Sequence, residues 1–105
     1  LYSSREADKY CQLPREVTMP RVLFAHHVTD TDHWASKHSE RVEAFAAWGS
    51  NVVDYMTADG SNWVIVGVDI HDMDAMQAAM ASPEMEAAKR AHGVIEPVHM
   101  FVETG

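Results

Sequence analysis

The sequence predicts one small α+β domain whose elements follow the order β-α-β-β-α-β. Four short segments rich in Val, Leu, Ile and Phe have the composition and length of strands. Helix-start signals follow the first and third of these segments, where short polar side chains can accept from free backbone N–H groups. The dipeptide Asp59-Gly60 lies between the second and third segments and is typical of a tight hairpin turn.

The length and composition indicate a single globular domain. The chain has 105 residues, of which 47% are hydrophobic, so a core can form. Residues 1–18 are polar and aperiodic, and Met19-Pro20 before an apolar strand is typical of a natural start. We therefore expect 1–18 to be an N-terminal extension, either an expression remnant or a native arm that packs on a neighbour, and 19–105 to be the domain. The lone Cys11 can form no internal disulfide, which fits a cytoplasmic location.

The charge balance argues against two classes of partner. Sixteen acidic residues against eight basic ones give a net charge of −8, and residues 1–18 hold three of each. The whole excess therefore lies in the domain, where it repels nucleic acid and anionic membranes. No apolar run approaches the roughly 20 residues that span a bilayer. We expect neither nucleic acid nor a membrane as partner.

In the first half of the chain, residues 21–28 are predicted to form a strand. Thr29-Asp30-Thr31-Asp32 then starts a helix that runs to about Trp48 and stops at Gly49. Residues 51–57 and 63–70 are the strands of the central hairpin. Helical spacing places an apolar stripe on the first helix that faces the sheet, formed by Trp34, Val42, Phe45 and Ala46.

In the second half, Asp72 caps a helix that Ser82-Pro83 interrupts and Gly93 ends, and residues 94–103 form the last strand. With right-handed crossovers this order gives a ferredoxin-like sandwich: a four-stranded antiparallel sheet with both helices on one face. The open face then carries Trp63, Ile65 and Phe101, which are too apolar for water. A second copy that covers this face would make a homodimer.

The run from Asp72 to Met85, with its acidic start, methionines and Ser82-Pro83, resembles the dimeric α+β barrel superfamily, in particular the antibiotic biosynthesis monooxygenase-like proteins. The resemblance covers residues 21–103. It implies a dimer with a pocket between sheet and helices in each subunit, where cofactor-free members oxidise electron-rich aromatic molecules. The fold hosts many activities, so the resemblance is more specific for fold than for reaction.

Haem-degrading relatives use an Asn on strand one, a Trp at the end of strand three and a His on the second helix. Counted from Ser82, the last two positions fall here at Ile70 and Lys89, and strand one carries no Asn. The resemblance therefore argues against haem degradation, and no cofactor is predicted. A haem or a transition metal stays as an alternative.

Histidine is the best candidate for chemistry, because the chain has seven and each can serve as a base or a metal ligand near neutral pH. His26 and His27 are adjacent on strand one and point to opposite faces, so one of them faces the helices. That residue either lines the pocket as a base or is a core histidine whose hydrogen bonds are satisfied. His38 lies between Trp34 and Val42 on the helix stripe, at a pocket wall or at the helix edge. His99 lies on strand four, which neighbours strand one.

The remaining polar and aromatic candidates are weaker. We interpret His33, His71 and His92 as surface residues at helix ends. Asp54 and Asp69 interrupt their strands and either orient a pocket histidine or, as we favour, meet water. Other residues are predicted to line the pocket or to be plain core: His27, Trp34, Trp63, Tyr55 and Met76.

Together these observations favour a cofactor-independent oxygenase or isomerase that acts on a small apolar molecule. The predicted catalytic residues are His26, His38 and His99, one of which takes a proton from the substrate. Two alternatives stay open. One is a dimer that binds a small ligand or haem without turnover, and the other is a metal site formed by His26 or His27 with His99.

Overall fold

A computed structural model of the chain describes residues 19–105. The predictions on residues 1–18, Cys11 included, lie outside the described residues. Eight elements follow one another: β1 (Arg21–Val28), α1 (Thr31–Ser36), α2 (His38–Phe45), β2 (Gly49–Met56), β3 (Trp63–Ile70), α3 (Met73–Met80), α4 (Pro83–Ala91) and β4 (Val94–Val102).

The four strands form one sheet in the order β2-β3-β1-β4, and every neighbouring pair is antiparallel. In the β1–β3 register, Phe24 is opposite Val66 and His26 is opposite Val64. These residues point to the side that the helices cover, because alternate side chains of a strand share a face. The predicted ferredoxin-like fold is confirmed.

The predicted cap signals work as expected, but each predicted helix is divided in two. Asp30, Asp72 and Ser82 each accept a hydrogen bond from a backbone N–H three residues further on, at 3.0 to 3.2 Å. The predicted Ser82-Pro83 break separates α3 from α4. The break at Lys37 between α1 and α2 was not predicted.

Helix α2 turns a different side to the sheet from the one predicted. Arg41 and Phe45 are buried on that side, whereas Val42 is 41% exposed and Ala46 is also exposed. The prediction that Val42 and Ala46 belong to the core stripe is therefore wrong. The stripe that packs on the sheet instead combines Trp34, Arg41 and Phe45.

The hydrophobic core lies between the helices and the inner face of β1 and β3. Trp34 and Met76 are almost fully buried, and the Phe45 ring lies 4.7 Å from that of Trp48 and 6.4 Å from that of Phe24. The strand residues of this core are mostly β-branched, which suits a pleated surface packed against helices: Val22, Val28, Val64, Val66, Val68 and Ile70.

The β4 side of the sheet is covered less completely than the β3 side. Helix α4 buries none of its residues, and Val94 and Val98 of β4 are half-buried. A gap therefore opens between α2, α4 and the β1–β4 pair. This gap is the candidate site.

The outer face of the sheet carries a row of apolar side chains, as predicted. Phe101 is 55% exposed and Tyr55 is 45% exposed, and with Leu23 and Ile65 they line a shallow groove. Within residues 19–105, the structure contains no helix of the length and apolar character needed to cross a membrane.

Candidate functional site

A cavity of about 840 Å³ lies between the sheet and the helices α2 and α4. Its volume falls in the range of pockets that hold small molecules. Most of its wall is apolar, from Phe24, Trp34, Phe45, Val66, Met80, Met85, Val98 and Met100. The polar groups at its wall and rim are His26, Glu40, Arg41, Lys89, His92 and Glu96.

The imidazole of His26 is held in one tautomer. His26 is 4% exposed, and its Nδ1 lies 3.0 Å from the carbonyl oxygen of His27. A carbonyl oxygen only accepts, so Nδ1 carries the hydrogen and the neutral ring keeps its lone pair on Nε2. Among the described residues, no hydrogen bond engages Nε2.

Burial lowers the pKa of His26 below its ordinary value, and the positive charge of Arg41 adds to this effect. The bond to the His27 carbonyl opposes the shift but does not reverse it. The ring is therefore neutral at pH 7. In the cavity wall it can accept a proton from a bound molecule.

Arg41 is a buried cation in the same wall. Its side chain is 5% exposed, and Cζ lies 4.1 Å from the centre of the Trp34 ring. Nη2 donates to the Trp34 carbonyl oxygen at 2.8 Å, and Nε and Nη2 both donate to the Asp54 carboxylate of β2. A buried guanidinium needs such a partner, because an unpaired charge is strongly destabilising there.

His92, the residue after α4, contacts the Arg41 guanidinium and also lines the cavity. It is 7% exposed, and its Nδ1 lies 3.3 Å from Arg41 Nη1. Arginine only donates, so Nδ1 accepts and the Nε2–H faces Glu40 Oε1 at 3.4 Å. Burial lowers the pKa of His92 although Glu40 opposes the shift.

These contacts form a continuous chain of polar groups, which we call the Arg41 network. It runs from Glu40 through His92 and Arg41 to Asp54, whose Oδ2 lies 3.0 Å from Nδ1 of His38. The network links the rim of the cavity to the edge of α2. It holds Arg41 in place from three sides.

The three histidines predicted to be catalytic do not converge. His26 lies in the cavity wall, so of the two histidines on strand one it is His26 that faces the pocket. His38 lies at the edge of α2 with a side chain that is 45% exposed, and it meets the cavity only through Asp54 and Arg41. His99 lies on the outer face of the sheet, where its ring is 5.9 Å from that of Trp63.

The residues predicted to line the pocket are also divided between locations. Trp34 lines the cavity. The His27 ring lies 4.0 Å from that of Trp63, tilted by 44°, on the outer face, where Tyr55 also lies. Met76 is fully buried in the core, and the methionines that line the cavity are Met80, Met85 and Met100.

Sequence reasoning misplaced two residues of the site and missed a third. His92 was interpreted as a surface residue, but α4 and α2 bury it. Asp54 was expected to meet water, but its side chain is 16% exposed and pairs with Arg41. Arg41 itself lies seven residues after Trp34 and four before Phe45, so the stripe spacing allows it to face the sheet, but its charge favoured Val42 for the core.

The described part of the chain gives no cluster of three or more His, Cys, Asp or Glu side chains that could hold a metal ion. His26 and His99 point to opposite faces of the sheet, so they cannot share one ion. His27 and His99 lie on the same face, and the Trp63 ring is 4.0 Å from that of His27 and 5.9 Å from that of His99.

Comparison with known proteins identifies structures of similar fold. No protein-family model matches the chain, and no curated protein matches it. Among solved structures, SnoaB from Streptomyces nogalater, a cofactor-independent oxygenase, is similar with a TM-score of 0.65 at 15% identity. The alignment covers 84% of this chain and 93% of SnoaB.

Two further structures give the same result. An antibiotic biosynthesis monooxygenase is similar with a TM-score of 0.60 at 10% identity, over 83% of this chain and 98% of that one. A conserved protein from Methanosarcina mazei Go1 is similar with a TM-score of 0.60 at 8% identity, over 82% and 91% of the two chains. At these identities the likeness concerns the fold, and the chain has the ferredoxin-like fold of the antibiotic biosynthesis monooxygenase-like structures.

Proposed function

We propose that this chain is a cofactor-independent oxygenase that acts on a planar, largely apolar molecule with an acidic C–H group. The observation that carries the proposal is the geometry of His26. The ring lies in the wall of a roughly 840 Å³ cavity, with Nδ1 committed to a carbonyl and Nε2 left as the basic nitrogen. The fold shared with SnoaB, a cofactor-independent oxygenase, supports the same reading.

The cavity wall favours a flat aromatic ligand. Phe24, Trp34 and Phe45 contribute aromatic carbons to the wall, and the flexible thioethers of Met80 and Met85 adapt to a ligand edge. A molecule with several charges would have to leave water for an apolar wall, which is unfavourable. We therefore expect an aromatic substrate with a few oxygen substituents.

The reaction begins when His26 Nε2 takes a proton from a substrate methylene group that is flanked by rings or a carbonyl. The carbanion passes one electron to O2, and the radical pair combines to a peroxide, which recovers the proton from His26. Loss of water across the second C–H bond gives a carbonyl. One methylene and one O2 thus yield one carbonyl and one water.

An isomerase would share the first step. In that case His26 returns the proton to another carbon of the same delocalised anion, and no O2 is consumed. The two outcomes are distinguished by oxygen uptake. His38 and His99 have no contact with the described cavity, so we assign His38 a positioning role through Asp54 and leave His99 to the outer face.

The test uses an oxygen electrode and a panel of planar aromatic ketones with an acidic methylene, with anthrone as the first probe. We expect oxygen uptake by the wild-type chain and a loss of roughly 10²- to 10⁴-fold for His26→Ala, the usual contribution of a general base. His71→Ala is the matched control, because His71 is exposed and bonds Ser50 Oγ far from the cavity. Equal rates for the two variants would contradict the proposal.

We also propose that the chain forms a homodimer through the outer face of its sheet. Phe101 and Tyr55 are about half exposed there beside Ile65 and Leu23, and an apolar patch of this kind marks an interaction surface. Sedimentation should give twice the mass of the chain. Phe101→Lys should give the single-chain mass, and an unchanged mass would contradict this interface.

A further inference from the structure

Arg41 has one hydrogen-bond donor more than its partners use. A guanidinium carries five N–H groups. Four of them are engaged: Nε–H and one Nη2–H by Asp54, the other Nη2–H by the Trp34 carbonyl, and one Nη1–H by His92. Among residues 19–105, the second Nη1–H has no partner.

This remaining donor belongs to a side chain that is 5% exposed and lines the cavity. Buried donors usually have a hydrogen-bond partner, because a buried donor without one has lost its hydration and gained nothing in return. The adjacent cavity is large enough for a ligand that places an oxygen beside this donor. An acceptor atom in the ligand would complete the set of five bonds.

The charges around the Arg41 guanidinium favour a negatively charged ligand oxygen at its Nη1 side. Asp54 neutralises the guanidinium from the Nε and Nη2 side, so the positive potential is strongest at Nη1. The acids at the rim, Glu40 and Glu96, have side chains that are 56% and 61% exposed, so water screens them. Lys89 at the wall pairs with Glu86 and Glu96, so its own charge is neutralised by these two carboxylates.

Arg41 and His26 lie against the same side chain. The Arg41 guanidinium covers the Trp34 ring, and the His26 ring is T-shaped to it at 6.2 Å. A flat ligand that packs beside Trp34 can therefore place one edge near His26 Nε2 and an oxygen near Arg41 Nη1.

We infer that Arg41 is the specificity-determining residue of this cavity, and that its uncommitted Nη1–H selects ligands that carry a phenol or enol oxygen and binds them as the anion. The inference rests on the proposed function and deepens it. A ketone oxygen can occupy the same position, and when His26 removes the C–H proton of such a ketone the negative charge moves onto that oxygen, so the same Nη1–H contact holds the enolate formed in the first step.

The test is the ionisation of a bound phenol. The probe is 7-hydroxycoumarin, whose absorbance band moves when its hydroxyl ionises, titrated with the full chain across neutral pH. We expect the pKa of the bound probe to lie about one unit below that of the free probe, which is a tenfold preference for the anion. The neutral analogue 7-methoxycoumarin measures access to the cavity without an ionisable group.

The double variant Arg41→Gln with Asp54→Asn removes the charge pair in near-isosteric form. It should bind 7-methoxycoumarin as the wild type does and lose the pKa shift of the phenol, while Arg41→Lys should keep part of it. The wild-type titration needs no variant, so it decides the question even where a variant fails to fold.

The other possible results separate the Arg41 inference from the proposed function. If both coumarins bind and the pKa of the phenol is unchanged or raised, the inference is overturned and the proposed function stands. If neither binds, the cavity does not take flat ligands and both are overturned. If the shift is present but the oxygen assay shows no turnover, the proposed function fails and the Arg41 anion site remains.

Discussion

Removing the carboxylate of Asp54 leaves the Arg41 guanidinium buried without its counter-ion. The side chains of this pair are 5% and 16% exposed, so water cannot replace the lost partner fully. Asp54→Asn keeps the shape and one acceptor oxygen but removes the charge. Breaking a buried pair from one side typically costs about 3–5 kcal/mol. Because Arg41 keeps the Trp34 carbonyl and His92, we expect about 2–3 kcal/mol here.

The same sheet offers a matched control in Arg21 and Asp69, which also form an arginine–aspartate pair. Their atoms lie 2.9 Å apart, but the side chains are 25% and 26% exposed. A pair of this exposure contributes about 0–1 kcal/mol. Asp69→Asn should therefore cost much less than Asp54→Asn, although the chemical change is identical.

Urea unfolding followed by tryptophan fluorescence measures both variants. With a denaturant slope of about 1–3 kcal/mol per molar, Asp54→Asn should lower the midpoint by about 1 M or more. Asp69→Asn should lower it by less than half of that. If both midpoints move equally, water solvates the Arg41–Asp54 pair as it does the surface pair, and the burial of the Arg41 network is contradicted.

Two further predictions concern pH and glycine. The pKa values of His26 and His92 are lowered in the folded state, so below about pH 6.5 the unfolded chain binds protons that the native state does not. The free energy of unfolding should therefore fall as the pH falls below this value, and the slope should flatten in His26→Gln. A thermal melt at each pH checks this, and a flat wild-type profile would contradict it. Gly93→Ala should be more destabilising than Gly60→Ala, since both have positive φ but an added Cβ at Gly93 would lie 2.6 Å from Thr29 Oγ1, whereas nothing lies within 4 Å at Gly60. Melting temperatures compare the two, and equal losses would show that the contact with Thr29 relaxes freely.

The strands and helix caps could be predicted because their signals are local. β3 spans residues 63–70 as expected, and Asp72 and Ser82 cap their helices through bonds within one turn. Such signals depend on a residue and its near neighbours in sequence. Four alternating segments and two helical regions then leave few topologies to choose from.

The orientation of α2 could not be predicted in the same way. Spacing from Trp34 allows either Arg41 or Val42 to face the sheet, and hydrophobicity favours Val42. The carboxylate of Asp54 on β2, which pairs with Arg41, decides for Arg41. This pairing joins two separate elements, which a helical period does not contain.

The candidate site was only partly predictable for the same reason. Alternation showed that His26 and His27 face opposite sides, but the register that sets His26 opposite Val64 determines which one faces the helices. His92 looked like a helix-end residue, because its burial comes from Arg41 and Glu40, about fifty positions earlier.

The central claim is that His26 presents an unprotonated Nε2 to the cavity at neutral pH. Nitrogen-15 NMR of the imidazole side chains, with His26→Gln to assign the signal, measures this directly. We predict a neutral ring with its hydrogen on Nδ1 at pH 7, and a shift of the Nε2 signal when a planar ligand binds. A protonated ring, or a neutral ring with its hydrogen on Nε2, would contradict the role of His26 as the base.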